Sequence, residues 1–160
     1  MESITILCVD DQPEVLDAVV RDLRPLQKFF RIEEAESAAE ARKIFEDAHR
    51  DGDFVGLVIS DHVMPEETGV DMLGAIFRDD RFAGTKKILL TGQANHADTI
   101  RAINEAKIDN YIEKPWKPED IVASAKKLLT QFILQKGLEY KDFLPVLDQK
   151  TLLEHLRSRT

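Results

Sequence analysis

Five short apolar runs, each followed by a stretch of helical spacing, constrain this chain more than any other feature. Ile4-Thr5-Ile6-Leu7-Cys8-Val9 is almost continuously apolar, as a strand buried on both faces must be. Asp10-Asp11-Gln12 follow, and Pro13 suits the first turn of a helix. Val15, Leu16, Val19 and Leu23 then recur at helical spacing until Pro25 breaks the pattern. Phe29-Phe30-Arg31-Ile32 reads as a second strand. Ser37 and Glu40 have capping-box spacing and open a helix with Ala41, Ile44, Phe45 and Ala48 inward. Residues 54–59 form a third strand that ends at Ser60-Asp61, and Thr68 to Asp71 caps a helix bearing Met72, Leu73, Ile76 and Phe77. Ile88-Leu89-Leu90 is a fourth strand ending at Thr91-Gly92, and Ala97, Ile100, Ile103 and Ala106 mark a fourth helix. Tyr111-Ile112 is a short fifth strand before Glu113-Lys114-Pro115-Trp116. A fifth helix starts near Pro118 and carries Ile121, Val122, Ala125, Leu128, Leu129, Phe132 and Ile133.

Strands alternating with helices make βαβ units, hence an α/β fold with a parallel sheet and helices on both faces. Right-handed crossovers favour a doubly wound five-stranded sheet in the order 2-1-3-4-5. Ligands of such sheets bind beyond the carboxyl ends of the strands, at the switch between strands 1 and 3. The first strand ends in Asp10 and Asp11, the third in Asp61, the fourth in Thr91 and the fifth in Lys114. Three carboxylates, a hydroxyl and an ammonium therefore converge on one edge. Each has an ordinary reading alone: Asp11 could be only a helix cap, Thr91 a turn hydroxyl, Lys114 a surface charge. Their coincidence is harder to set aside. Two carboxylates 4 Å apart repel by about 4 kcal/mol at an effective dielectric of 20, so the cluster calls for protons or a cation. Hard oxygen ligands of this kind suit Mg²⁺, which keeps several waters and joins phosphate oxygens. The constellation fits phosphoryl transfer.

Composition excludes several other classes. With 43% hydrophobic and 32% charged residues the chain can bury a core, so disorder is not expected. No stretch approaches the ~18 apolar residues of a membrane span, and the start shows no basic region ahead of an apolar one, so neither a span nor a secretory signal is expected. The single cysteine, Cys8, allows no internal disulfide, fits a cytoplasmic setting and reads as a small buried hydrophobe. The four histidines lack ligand spacing for zinc. A net charge of −8 argues against a dedicated nucleic-acid surface. The charge is uneven: residues 117–160 carry +2 and the rest −10.

Val9-Asp10-Asp11, Asp61-His62-Val63-Met64-Pro65-Glu66-Glu67-Thr68-Gly69, Leu90-Thr91-Gly92 and Tyr111-Ile112-Glu113-Lys114-Pro115 resemble, in order and spacing, the receiver (CheY-like) domain of two-component response regulators. The resemblance covers roughly residues 3–130. It implies a flavodoxin-like fold and a role for each matching residue. Asp61 would be the phosphoacceptor, a carboxylate nucleophile forming an acyl phosphate. Asp11 would bind Mg²⁺ directly, Asp10 would help position it through water, and the Val63 carbonyl would be a further ligand beside Asp61. Thr91 and Lys114 would hold the phosphoryl oxygens. Lys114–Pro115 would be a cis peptide, and Tyr111 holds the aromatic switch position. The resemblance further implies that Thr91 moves toward the phosphoryl group, Tyr111 turns inward, and the surface of helix 4, strand 5 and helix 5 changes as a population shift.

The same resemblance implies partners: a sensor histidine kinase or phosphotransfer protein upstream, and an output domain or protein downstream. The protein would catalyse only its own phosphorylation and dephosphorylation. In the family, the residue two after the phosphoacceptor influences the water that hydrolyses the acyl phosphate. Here that residue is Val63, which cannot hydrogen-bond a water, whereas Gln93, two after Thr91, can; we expect slow to intermediate self-dephosphorylation. Trp116 is expected to pack on the first turn of the fifth helix, and His62 to be a rim residue. Two other functions are disfavoured. A haloacid-dehalogenase-type phosphohydrolase carries its nucleophile after the first strand with an acid two residues on, where this chain has Gln12. A receiver fold not regulated by phosphorylation would have little reason to keep the full acidic set.

Residues 1–132 read as the receiver and 133–160 as a C-terminal helical extension or linker. Phe132-Ile133-Leu134 are apolar around more than one helix face, and Gly137 reads as a helix stop. Leu138, Tyr140, Phe143, Leu144, Val146 and Leu147 follow, then Asp148 as the cap of a short helix with Leu152, Leu153 and Leu156. So short a segment cannot fold alone. Its apolar side chains must pack on the body, on a second copy or on a further domain. A homodimer through this extension, or through helix 4, strand 5 and helix 5, is therefore an expectation.

Overall fold

The structure, a computed structural model, describes residues 2–92 and 96–159. Five parallel strands lie in the order β2-β1-β3-β4-β5. They are β1 (Ile4–Val9), β2 (Arg31–Ala35), β3 (Phe54–Ser60), β4 (Lys86–Thr91) and β5 (Asn110–Glu113). The helices between them are α1 (Pro13–Asp22), α2 (Ala38–Arg50), α3 (Gly69–Arg78) and α4 (His96–Arg101), with α5 (Pro118–Lys136) and α6 (Gln149–Ser158) closing the chain. The expected fold class and strand order are the observed ones.

Strand alternation sorts the core into two layers. Ile4, Ile6 and Cys8 of β1, Leu57 and Ile59 of β3, and Ile88 and Leu90 of β4 face α1 and α5. Leu7, Val9, Val58 and Leu89 face the opposite way, onto α2 and α3. β1 and β3 are buried along nearly their whole length, which is why they are apolar without a polar phase.

Helix caps follow the sequence closely. Pro13 opens α1, and the Ser37 and Thr68 hydroxyls accept from the Glu40 and Asp71 amides, each at 3.1 Å. The Glu40 carboxylate closes its side of the box on the Glu36 amide (2.8 Å) rather than on Ser37.

Two elements differ from expectation. β2 begins at Arg31, not Phe29. Phe30 is instead claimed by packing: it is buried and stacks on Phe143 with centroids 5.5 Å apart. The strand itself is Arg-Ile-Glu-Glu-Ala, whose charges are tolerable because β2 is the sheet edge. The turn after α4 brings small residues inward, while Ala97 of α4 itself is exposed. Ala102 and Ala106 are buried, while Ile100 and Ile103 stay 46% and 52% exposed. The helix continues into a wider π turn over Ala102–Ala106 and stops at Lys107 with φ +54°. The extra residue in that turn rotates the helix face, so the regular apolar spacing does not predict the buried side.

The extension packs on the body. Gly137, at φ +72°, ends α5, and the Leu138 amide donates back to the Ile133 carbonyl at 3.0 Å. A 3₁₀ segment, Tyr140–Val146, then sets Phe143, Val146 and Leu147 into the α1/α5 layer, and Leu152 of α6 joins them. The Asp148 carboxylate caps α6 through the Thr151 amide (3.1 Å), while its own amide donates to the Thr130 hydroxyl at 2.8 Å. This second layer over α5 explains why Phe132-Ile133-Leu134 are apolar on more than one face. Among the described residues no helix is long and apolar enough to cross a membrane.

Candidate functional site

β1 and β3 are neighbours in parallel register, with Val9 opposite Ser60, so the residues just past them share one edge. Asp61 is held there through its backbone. Its amide donates to the Val9 carbonyl at 2.9 Å, and the Ser60 hydroxyl donates to its carbonyl at 2.8 Å. Asp10, Asp11 and Asp61 each present an oxygen within 4.8 Å of the others. Asp10 and Asp61 are 3% and 5% exposed, so their mutual repulsion acts with little help from water, whereas Asp11 is open to solvent.

Lys114 answers that charge. Its ammonium donates to Asp10 Oδ2 at 2.9 Å and lies 3.5 Å from Asp61 Oδ1. The Gln12 amide donates to Asp10 Oδ1 and the His62 amide to Asp61 Oδ1, both at 2.9 Å. Burial pushes the Asp10 carboxyl above the ordinary carboxylate value and the Asp61 charge adds to this, while the Gln12 amide and the Lys114 ammonium pull it back. The balance describes carboxylates crowded beyond what one ammonium neutralises. An all-oxygen, anionic donor set of this kind fits Mg²⁺ or a similar hard divalent cation.

Thr91 is fully buried at the end of β4. Its carbonyl accepts from the Lys114 amide at 3.4 Å and from the Tyr111 hydroxyl at 3.3 Å, so the β4 end is fastened to the strand that delivers Lys114. Lys114–Pro115 is cis. Val63 projects from the β3–α3 loop at 50% exposure. Gln93 lies outside the described residues. Trp116 packs against the α1/α5 layer, and its indole Nε1 donates to Asp22 at 2.8 Å, tying the start of α5 to the end of α1.

Other residues at the site carry more than the sequence showed. His62 is buried, not on the rim. Gly69 closes the loop: its amide donates to the His62 carbonyl at 2.8 Å, and a Cβ there would meet the Asp61 carbonyl oxygen at 2.0 Å. The glycine stood in the motif, but only the backbone's return path gives it a steric reason.

A family model for the response regulator receiver domain matches residues 6–126. The chain belongs to that family, whose members are phosphoacceptor signalling modules rather than conventional enzymes. The chemotaxis protein CheY1 of Helicobacter pylori is 30% identical over 114 residues, 71% of this chain and 87% of CheY1. The hydrogenase transcriptional regulatory protein HoxA of Bradyrhizobium diazoefficiens is 32% identical over 135 residues, 84% of this chain and 26% of HoxA. The chain thus spans about a quarter of that relative's length. The receiver domain protein (CheY-like) of Methanospirillum hungatei superimposes with a TM-score of 0.72 at 28% identity, covering 84% of this chain and 99% of that one.

Proposed function

We propose that Asp61 accepts a phosphoryl group from a histidine kinase or phosphotransfer protein in a Mg²⁺-dependent reaction, and that this changes the surface of α4, β5 and α5. One observation carries the reading: two buried carboxylates and an exposed third crowd one sheet edge with the Lys114 ammonium between two of them.

An Asp61 carboxylate oxygen attacks phosphorus, forming an O–P bond as the P–N bond of the donor phosphohistidine breaks. The imidazole leaves with the electron pair and takes up a proton. Asp10, Asp11, Asp61 and the Val63 carbonyl would hold Mg²⁺, which when bound neutralises carboxylate and phosphoryl charge. Lys114 then turns from Asp61 toward a phosphoryl oxygen while keeping Asp10. The Thr91 hydroxyl takes another phosphoryl oxygen, which draws the β4 end toward the site. Tyr111, whose hydroxyl now bonds the Thr91 carbonyl, follows that movement inward. Only contacts made with the phosphorylated state can shift the population in this way. The exposed Ile100 and Ile103 give the α4 side of that surface an apolar face for an output domain or protein. A cytoplasmic setting belongs to the proposal, because phosphohistidine donors are made from ATP there.

Incubation with Mg²⁺ and acetyl phosphate followed by intact-mass measurement tests the reading. Wild type gains one phosphoryl group and Asp61→Asn gains none. Absence of labelling in wild type, or equal labelling in the variant, defeats it.

A further inference from the structure

Among the described residues the large apolar side chains left exposed are Val63, Ile100, Ile103, Leu144, Leu153 and Leu156. Half of them belong to the C-terminal extension, the same segment that buries Phe143 and Leu152 completely or nearly so. On α6, Leu153 and Leu156 remain 51% and 37% exposed. Residues three and four apart share a helix face, so Lys150 and Arg157 flank Leu153 on that side. The result is an apolar strip with Lys150 and Arg157 along one edge and Glu154 beside them.

A groove of about 420 Å³ opens on the neighbouring face of the molecule. Pro25, from the turn after α1, and Pro118 and Val122 of α5 line it. Its polar lining is the carboxylates of Asp22, Glu119 and Asp148 against the ammonium of Lys126. This is an apolar surface with anionic edges, complementary to the strip.

We propose that two copies of this chain associate about a two-fold axis, each laying its Leu153/Leu156 strip into the acidic-edged groove of the other. Charge selects this arrangement. Antiparallel pairing of α6 with its own copy would set Lys150 against Arg157 of the partner with Glu154 as the one acid beside them, whereas the groove sets three carboxylates against one ammonium. The groove offers the opposite sign. The exchange also uses each surface once per copy and closes as a dimer, instead of leaving a free end for a filament. It draws on neither α4 nor the acidic site, and of the surface proposed to change on phosphorylation it uses only the first turns of α5.

Light scattering and sedimentation of the whole chain across a concentration series provide the test. Wild type shows twice the monomer mass of 18.2 kDa at high concentration and dissociates on dilution or added salt. Leu153→Asp with Leu156→Asp raises the dissociation constant by about tenfold or more, as loss of a central apolar anchor does. Glu119→Lys does the same, and combining it with Lys150→Glu and Arg157→Glu restores the dimer. All these side chains are exposed, and unchanged thermal unfolding of each variant confirms that folding is intact. A wild type that stays monomeric throughout overturns the proposal. So does a dimer unmoved by either the leucine changes or Glu119→Lys, or a charge exchange that restores nothing.

Discussion

Gly69 stands so close to Asp61 that a Cβ at position 69 would lie 2.0 Å from the Asp61 carbonyl oxygen. The contact is with backbone, so no side chain can swing away to relieve it. Gly69→Ala must displace either the end of β3 or the start of α3. We expect a loss of about 2–3 kcal/mol in urea unfolding, as for overpacked cores, together with slower acetyl phosphate labelling. Gly74→Ala is the contrast. There the Cβ meets Arg78 Nη1 at 3.1 Å, the far end of a flexible side chain. Alanine in that helix interior raises stability by up to about 1 kcal/mol. Equal behaviour of the two variants contradicts the packing argument.

The crowding of Asp10 against Asp61 has its own stability signature. Without Mg²⁺, Asp61→Asn removes one like charge and should raise the unfolding free energy by about 1 kcal/mol, a gain bought with function. With Mg²⁺ at a hundred times its dissociation constant, wild type gains about 2.7 kcal/mol, and a chelator reverses the gain. The variant gains far less, having lost a ligand. Thermal unfolding with and without chelator measures both. A wild-type midpoint indifferent to Mg²⁺ contradicts the site.

Lys87 predicts a pH dependence away from the site. It is 2% exposed, its ammonium donates to the Thr85 carbonyl at 2.8 Å, and it lies 5.3 Å from the Phe77 ring centroid. Burial pushes its pKa from 10.5 down to about 8, the nearby Asp109 charge opposing. That corresponds to about 3 kcal/mol against the buried ammonium. The sign follows from proton counts. Between pH 8 and 10.5 the unfolded chain binds the proton more fully than the folded one, so this group makes stability rise with pH there. Below pH 8 its penalty is present in full. Lys87→Met should therefore add about 1–3 kcal/mol at pH 7, with a gain that shrinks by pH 9. A gain independent of pH would assign the effect to packing alone.

Strand ends and caps were legible in the sequence because they rest on local chemistry. β1 runs over the six residues read as its apolar run, and Asp10, Asp11, Asp61 and Lys114 converge because sheet order and strand ends together leave them no other place. Cys8 is the buried small hydrophobe expected, its thiol pushed up to about 12 by burial. Long-range competition was not legible. Phe29-Phe30 resembles a strand until Phe143, distant in sequence, takes Phe30 out of it. The α4 spacing is regular until the π turn rotates it. His62 is polar and sits beside a charged edge, yet the return of the chain at Gly69 covers it.

Val63 sets a prediction about lifetime. Its side chain is half exposed and carries no hydrogen-bonding group. A water attacking an Asp61 acyl phosphate would find no acceptor or donor at that position. Val63→Asn supplies one and should shorten the phosphoryl lifetime severalfold at unchanged stability, since the site is open. Loss of label from purified phosphoprotein, followed by mass after removing acetyl phosphate, measures it. An unchanged lifetime removes any role for this side chain.

Arg42 and Glu67 clamp the loop that carries the Val63 carbonyl onto α2. The Arg42 guanidinium of α2 forks onto the Glu67 carboxylate, with Nε to Oε1 at 3.0 Å and Nη2 to Oε2 as the second bond. Glu67 lies in the β3–α3 loop beside Glu66, whose φ of +72° puts it in the left-handed region that side chains disfavour. The loop therefore holds a costly turn, and the fork fastens it to α2. The pair is partly exposed, at 43% and 30%, so its contribution to global stability should stay within about 1 kcal/mol. Its effect should be on order in the loop that carries the Val63 carbonyl. Arg42→Ala should weaken Mg²⁺ binding, read by Trp116 fluorescence or calorimetry, by about threefold to tenfold with little change in urea midpoint. Arg42→Lys should rescue only part, because an ammonium cannot make both bonds of the fork. Exchanging the two residues, Arg42→Glu with Glu67→Arg, should recover most of the affinity by rebuilding the pair. Equal Mg²⁺ affinity in wild type and Arg42→Ala would mean that the loop holds its shape without the clamp.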